Sequence, residues 1–279
     1  MVVAQRSVDV DPEDGLIVGE VGPWASEKHE RLRKYIDASG GARAKFLPPR
    51  GAGASYIELY SGAGRSLNRN NNQIIDGSAL VAYKAASASL ARFSELHFSD
   101  LDQRNSEALA QRIKALGGAA KSYVGPADTT VDKVLAAIDP HGLHLAFLDP
   151  FGLGSLPFSI IEKMLQVQRM DMIIHVSLSD LQRNLDLYSR IGETLDSFAP
   201  GWREAVDTKQ SMKALRAGLI EYWLGLIRSL GTHPSTGIPL VVGSKNQPLY
   251  WLVFVSSNPL GHKLWNDVQN LSGQGSLFD

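Results

Sequence analysis

Hydrophobic and polar positions along this chain follow two alternating periods. Short, nearly continuous apolar runs at 56–60, 95–99, 121–124, 143–148 and 171–178 read as strands. Stretches with apolar residues at helical spacing lie between or before them, at 77–91, 103–116, 130–138 and 157–167, and Gly117-Gly118 ends the second of these as a C-terminal signal. A further helix is predicted over 24–38, where Ala25, His29, Leu32 and Ile36 share one face. Strands this apolar, alternating with helices, predict a mainly parallel sheet covered on both faces, a Rossmann-like α/β fold. From 181 to 230 the pattern turns helical and richer in charge and tryptophan, as an inserted cap would. Strand character returns at 239–243 and 249–256, which predicts closing antiparallel strands. The expected organisation is a flexible leader at 1–20, a helix and turn-rich linker at 21–50 and an α/β core at 51–180. A helical cap at 181–235, closing strands and helix at 236–266 and a flexible tail at 267–279 complete it.

The candidate chemistry begins at Tyr56-Ile57-Glu58-Leu59-Tyr60-Ser61-Gly62-Ala63-Gly64, an apolar strand that breaks into a Gly-x-Gly turn. Such a turn lets backbone approach a ligand closely, and ligands of open α/β sheets sit at the carboxyl ends of strands. A dinucleotide fingerprint would place a third glycine where this chain has Leu67. Other acids follow at successive strand ends. Asp100, with Asp102 as the alternative, is placed to accept the two hydroxyls of a ribose, and Asp128 to receive an adenine amino group. An Asp at such a turn is also the usual helix N-cap, so both roles stay open. The loop Asp149-Pro150-Phe151-Gly152 ends the fourth strand. His29, His97, His141, His144 and His175 show no metal-ligand spacing, and no serine-hydrolase motif is present.

Composition changes this picture in one respect. The 279-residue chain is 44% hydrophobic and 20% charged with a formal net charge of −1, so it is not coated in positive charge, and it contains no cysteine. That excludes disulfides, thiolate metal sites and cysteine nucleophiles, and suits a reducing, cytoplasmic setting. No apolar run is long enough to span a membrane.

The pattern Glu-x-x-x-Gly-x-Gly resembles the first motif of class I S-adenosylmethionine (SAM)-dependent methyltransferases. Asp149-Pro150-Phe151 resembles the (Asp/Asn)-Pro-Pro-(Tyr/Phe) signature of amine methyltransferases, in which the acid and a prolyl carbonyl hold the target amine and the ring stacks on the base. Here Phe151 replaces the second proline and Gly152 stands in the aromatic place. More broadly, the chain resembles the three-Cys-motif partner (TcmP) proteins, through Gly22-Pro23-Trp24-Ala25 with Lys28 and Tyr35, the glycine turn, Asp76-Gly77-Ser78-Ala79, Phe98-Ser99-Asp100, Leu148 to Gly152 and Leu252 to Gly261. The resemblance implies a class I methyltransferase fold and SAM as cofactor. Glu58, Tyr60, Ser61, Gly62, Gly64, Asp100, Asp102 and Asp128 would then face the cofactor, and Asp149, Pro150 and Phe151 the acceptor. It also implies a partner bearing a three-cysteine, radical-SAM-like iron-sulfur motif.

Two further signals concern partners. Segment 24–50 holds seven basic residues (Lys28, Arg31, Arg33, Lys34, Arg43, Lys45, Arg50) against three acidic ones, a hint of phosphate contact, although Glu27–Arg31 and Glu30–Lys34 are spaced as helix ion pairs. Arg183, Asn184, Trp202 and Trp223 could add phosphate binding or stacking, or the tryptophans could be the core of the cap. The ending Gln274-Gly-Ser-Leu277-Phe278 resembles the short peptide by which bacterial DNA-processing enzymes hold the sliding clamp. The expected function is therefore a SAM-dependent, methyltransferase-like protein acting on nucleic acid, a DNA base linked to repair or modification. A non-catalytic scaffold that positions the partner is the alternative, and a small-molecule methyltransferase a weaker one.

Overall fold

A computed structural model describes residues 9–236, 238–242 and 247–270. The apolar runs become the strands of one sheet: β1 (Ala54–Glu58), β2 (Glu95–Asp100), β3 (Lys121–Val124), β4 (Leu143–Leu148), β5 (Met170–Ser177), β6 (Leu240–Val242) and β7 (Pro248–Ser256). Their spatial order is β3-β2-β1-β4-β5-β7-β6, with a two-residue strand, His233–Pro234, also paired to β7. Strands β1 to β5 are parallel, and β7 runs antiparallel to both β5 and β6. The Rossmann-like α/β fold with closing antiparallel strands is as expected. Strand order reverses between β1 and β4, the crevice where such sheets bind ligands.

Successive residues of the central strands point to opposite faces. Ile57, Ala146, Leu148, Met172, Ile174 and Val253 meet on one side. Tyr56, Leu145, Phe147, Ile173, Leu252 and Phe254 meet on the other. Helices α4 (Ala127–Ala137) and α5 (Phe158–Leu165) cover the first side, and α1 (Ala25–Ala38), α2 (Ser78–Ala88), α3 (Gln103–Ala115) and α8 (Pro259–Asn270) the second. The cap consists of α6 (Leu178–Ile191), α7 (Met212–Ser229) and short helical segments between them. Its tryptophans are core: Trp202 and Trp223 are buried, and Trp223 stacks on Phe198 at 5.2 Å.

Three local features depart from expectation. The polar tract Arg69-Asn70-Asn71-Asn72, which carries no strand pattern, is the turn of a hairpin, Arg65–Asn68 with Gln73–Asp76, and Asn72 takes the left-handed conformation (φ 55°) that Asn tolerates. Strand Gly19–Val21 pairs with this hairpin, making a second, three-stranded sheet. The described part of the expected leader is consequently pinned: Asp11 is buried, and Arg112 of α3 donates to the Asp14 carboxylate (2.7 Å) and the Ile17 carbonyl (2.9 Å). Finally, α1 is no separate segment. Tyr35 packs on Phe254 and Trp265, and its hydroxyl donates to Asp171 at 2.7 Å.

Candidate active site

At the carboxyl end of β1 the chain turns through Gly62 (φ 59°) and Gly64 (φ 86°), both left-handed. The two glycines serve different ends. A side chain at Gly62 would project into open space, whereas a Cβ at Gly64 would lie 2.8 Å from Leu109 Cδ1 of α3. The chain then leaves for the hairpin and returns at Gly77, whose N–H donates to the Gly64 carbonyl at 2.7 Å. A Cβ on Gly77 would sit 3.0 Å from that carbonyl. Gly77, at the start of α2, therefore supplies the close backbone approach that the missing third glycine at Leu67 would have given. Gly62→Ala is expected to cost roughly 1–2 kcal/mol, the left-handed penalty alone. Gly64→Ala should cost more, because overpacking against Leu109 adds to it. Chemical denaturation of the two variants checks the order.

Asp100, at the end of β2, accepts the Gly62 N–H at 2.9 Å, and its other oxygen accepts the Asp102 N–H (2.9 Å) and Asn105 Nδ2 (3.0 Å). The helix-capping role falls on Asp102, which accepts the Arg104 N–H at 2.9 Å and pairs with its guanidinium at 2.6 Å. Asp128 lies inside the first turn of α4, which begins three residues earlier than its apolar spacing predicts; the cap position is Pro126, so the Asp128 carboxylate does not cap. Ser61 turns inward, its hydroxyl donating to the Ser99 carbonyl at 3.1 Å. Arg112 braces the turn from behind, donating to the Ala63 carbonyl at 2.6 Å.

A cavity of about 500 Å³ opens along this rim, walled by Tyr60, Gly62, Asp100, Asp128, Asp149 and Phe151 among others. Leu101 and Phe151, both strongly exposed, give it apolar lips. The size and the mixture of apolar wall with a few acids suit a nucleoside-sized ligand. Of the expected site residues, Glu58, Ser61, Gly64, Asp102 and Pro150 are not among its walls.

Glu58 lies behind the glycine turn, fully buried, accepting from the Tyr56 hydroxyl (2.9 Å) and from the Ser78 hydroxyl at the head of α2. It ties β1 to α2 across the hairpin excursion. Burial pushes its carboxyl up to about 8, against the two hydrogen bonds and with help from the Asp149 charge. A carboxyl raised above its unfolded value stabilises the fold below that value, and the contribution is lost as pH rises through the native one. Between about pH 4.5 and 8, Glu58 should therefore lower stability by no more than about 1.4 kcal/mol per pH unit. Glu58→Gln should abolish this slope, read as the wild-type-minus-variant difference in urea unfolding across that range. The subtraction matters, because burial holds His29 and His175 down near 4 and gives slopes of the opposite sign.

The loop after β4 is fixed at several points. Lys28 of α1 forms an ion pair with Asp149, the side chains being 10% and 18% exposed. The other Asp149 oxygen lies 3.4 Å from His175 Nδ1, a buried nitrogen without a hydrogen-bond partner. Burial, the largest single influence, would raise the Asp149 carboxyl, but the Lys28 ammonium beside it, together with His175 and His29, holds it below the usual value. Asp180 of α6 accepts the Leu153 N–H at 2.9 Å, and Tyr60 donates to the Ser155 carbonyl. A Cβ at Gly152 would lie 2.9 Å from Asp180, so the place where the amine signature has an aromatic has no room for one. Phe151 is left fully exposed at the apex.

Lys28, His175, Asp180, Tyr56, Ser78 and Arg112 are site or bracing residues that the motifs alone do not assign. Lys28 did leave a trace, as a charged residue on the apolar stripe of α1 one turn from Ala25 and Leu32. Among the described residues no group of three or more His, Asp or Glu is arranged to hold a metal, and no helix is long and apolar enough to cross a membrane. The basic segment is mostly spent on structure. Arg31 and Arg43 are buried, Arg33 pairs with Glu30 and Asp37, and Lys34 with Glu30. Lys45 and Arg50 remain exposed. Gln274, Leu277 and Phe278 lie outside the described residues.

No known protein family and no curated protein matches the chain by sequence. Solved structures do resemble it in shape. An O-methyltransferase from Bacillus cereus in complex with SAH is 11% identical over 90% of this chain and 84% of that one, with a TM-score of 0.48. An rRNA methylase from Streptococcus thermophilus is 13% identical over 82% and 93%, with a TM-score of 0.40. A protein from M. jannaschii solved in complex with AdoMet is 8% identical over 91% and 88%, with a TM-score of 0.44. Likeness at this level places the chain no more finely than its own strand order does.

Proposed function

We propose that this chain is a SAM-binding, methyltransferase-like protein that acts on nucleic acid, a DNA base linked to repair or modification, together with a partner bearing a three-cysteine iron-sulfur motif. One observation supports the cofactor reading above all others: the Gly62 turn, Asp100, Asp128 and Asp149 border a single cavity at the carboxyl rim of β1 to β4. In this reading Gly62 leaves room for the methionine portion, Asp100 holds the ribose hydroxyls and Asp128 meets the adenine edge, with Leu101 and Phe151 flanking the apolar parts. The bound cofactor would supply an electrophilic methyl group on sulfur. The protein's part is then alignment of an acceptor beside Asp149, with little acid–base machinery. A base within a duplex would have to be flipped out to reach it.

The nucleic-acid and partner assignments rest on the quoted motifs, the absence of cysteine and the clamp-like tail, with Lys45 and Arg50 among the exposed cations of the amino-terminal segment. A second reading, a non-catalytic SAM- or nucleotide-binding scaffold for the partner, is favoured by the engagement of Asp149 with Lys28. Isothermal calorimetry with SAM and with SAH tests the shared premise: saturable heat is expected with both, and none at millimolar ligand would end it. The two readings separate at Asp149→Ala, which should abolish methyl transfer to nucleic acid while sparing complex formation if the chain is catalytic. An unchanged cellular phenotype in that variant would favour the scaffold.

A further inference from the structure

Two cations of the amino-terminal segment that the fold does not use have neighbours of the same sign. Lys45 and Arg50 lie on the stretch leading into β1, Arg92 precedes β2 by three residues, and Arg169 directly precedes β5. Strands β2, β1, β4 and β5 are parallel neighbours in that order, so their leading ends form one rim of the sheet, at the far end from the cavity. Backbone bonds knit this rim together. The Gly53 N–H donates to the Phe46 carbonyl at 2.7 Å, the Leu143 N–H to the Gly53 carbonyl at 3.0 Å and the Ser94 N–H to the Ala54 carbonyl at 2.8 Å. The Arg169 guanidinium lies over the Phe46 ring at 5.5 Å and donates to the His141 carbonyl at 3.3 Å.

All four cations are exposed, and among the described residues none has a carboxylate within ion-pair distance. The chain treats its other exposed arginines differently: Arg33, Arg69, Arg104, Arg190, Arg203 and Arg228 each hold an acid. Arg169 carries a second sign. Its φ is 55°, a left-handed conformation that costs a residue with a side chain roughly 1–2 kcal/mol and that glycine takes freely. Turn geometry therefore gives no reason for arginine there, which leaves its guanidinium as the reason. Of the acids at the same rim, Glu95 is engaged by Lys121 at 3.0 Å, and the exposed Asp139 is outnumbered by the four cations.

We propose that this amino rim is a docking face for the phosphate backbone of nucleic acid, separate from the cavity and at the opposite end of the sheet. With neighbouring strands about 4.8 Å apart, the row from Arg92 through Arg50 to Arg169 extends roughly 15 Å, the axial length of about four phosphates along one strand. A row of that length matches a polyanion rather than a single small anion. Guanidinium groups pair bidentately with phosphate oxygens, and such contacts hold the backbone without reading its sequence. The proposal goes beyond the cavity reading and does not depend on the cofactor. A base reaching the cavity would come from a different stretch of the bound nucleic acid than the one held here.

Fluorescence anisotropy of a short labelled DNA duplex with the full chain tests this. Affinity should fall roughly 100-fold between about 50 and 200 mM salt, as four phosphate contacts require. Arg50 and Arg92 make no hydrogen bond or ion pair among the described residues, so replacing them leaves the fold intact. Arg50→Gln combined with Arg92→Gln should weaken binding about tenfold at the lower salt and reduce the log–log salt slope by about 2. Lys209→Gln with Lys213→Gln, at exposed cations of the cap, should leave affinity within about twofold. No binding at the lower salt, or equal losses in the two double variants, would overturn the proposal. So would binding to phosphatidylserine vesicles without binding to DNA, which would make the rim a membrane contact. A loss on Phe151→Ala with none in the rim variant would put the duplex at the cavity mouth instead, removing this proposal and leaving the proposed function standing. Calorimetry with SAM succeeds or fails independently of all these outcomes.

Discussion

Replacing Lys28 by methionine is expected to destabilise the protein by about 3 kcal/mol, the cost of leaving a mostly buried carboxylate without its cation. Methionine keeps most of the volume and the apolar stem, so packing contributes little and the charge dominates. The direction with pH is specific. In the wild type Asp149 is held below its ordinary value, so its contribution is present above about pH 4 and lost as pH falls through the native value. Without Lys28, burial is left to push the same carboxyl upward. The deficit of the variant should be greatest at neutral pH and shrink toward pH 4, where Asp149 can protonate. A double replacement, Lys28→Met with Asp149→Leu, should recover most of the loss, since apolar residues substitute well for a buried ion pair. Urea unfolding of the four members of the cycle measures this, and additive losses in the double variant would show that the pair carries no coupling.

How much of this was legible in the sequence depended on sequence distance. The strand runs, the Gly62 and Gly64 turn and the acids Asp100, Asp128 and Asp149 lie on local patterns, and the structure sets Gly62 and these three acids around one cavity. The Asp102 cap was also within reach, since it follows β2 by two residues. The Lys28 contact was not. It spans 121 positions, and nothing in the neighbourhood of either residue specifies the other. The hairpin between Gly64 and Gly77 escaped for a different reason. Four-residue strands too short and too polar for a clear alternation look like loop, and they are held by pairing with Gly19–Val21, far away in sequence. Gly152 shows a third kind of limit: its reason for being glycine is the Asp180 side chain, which belongs to another helix.

Asp100→Ala should lower SAM affinity by about 100-fold, near 2.8 kcal/mol, the loss of two hydrogen bonds from ribose hydroxyls to a charged acceptor. Part of that loss would be indirect. Asp100 also accepts the Gly62 N–H, so its removal frees the glycine turn that shapes the cavity. Asp100→Asn divides the two effects: its amide oxygen can still receive the Gly62 N–H, but the negative charge is gone, and a loss of about tenfold is expected. Asp102→Ala supplies the contrast. Its carboxylate caps α3 and is not among the cavity walls, so about 1 kcal/mol of stability should go while SAM affinity stays within twofold. Calorimetry and urea unfolding on the three variants read these outcomes together. Should Asp102→Ala lose the ligand and Asp100→Ala keep it, the ribose site would have to move to the helix cap, and the cavity bounded by Gly62 and Asp149 would no longer be where the adenosyl group lies.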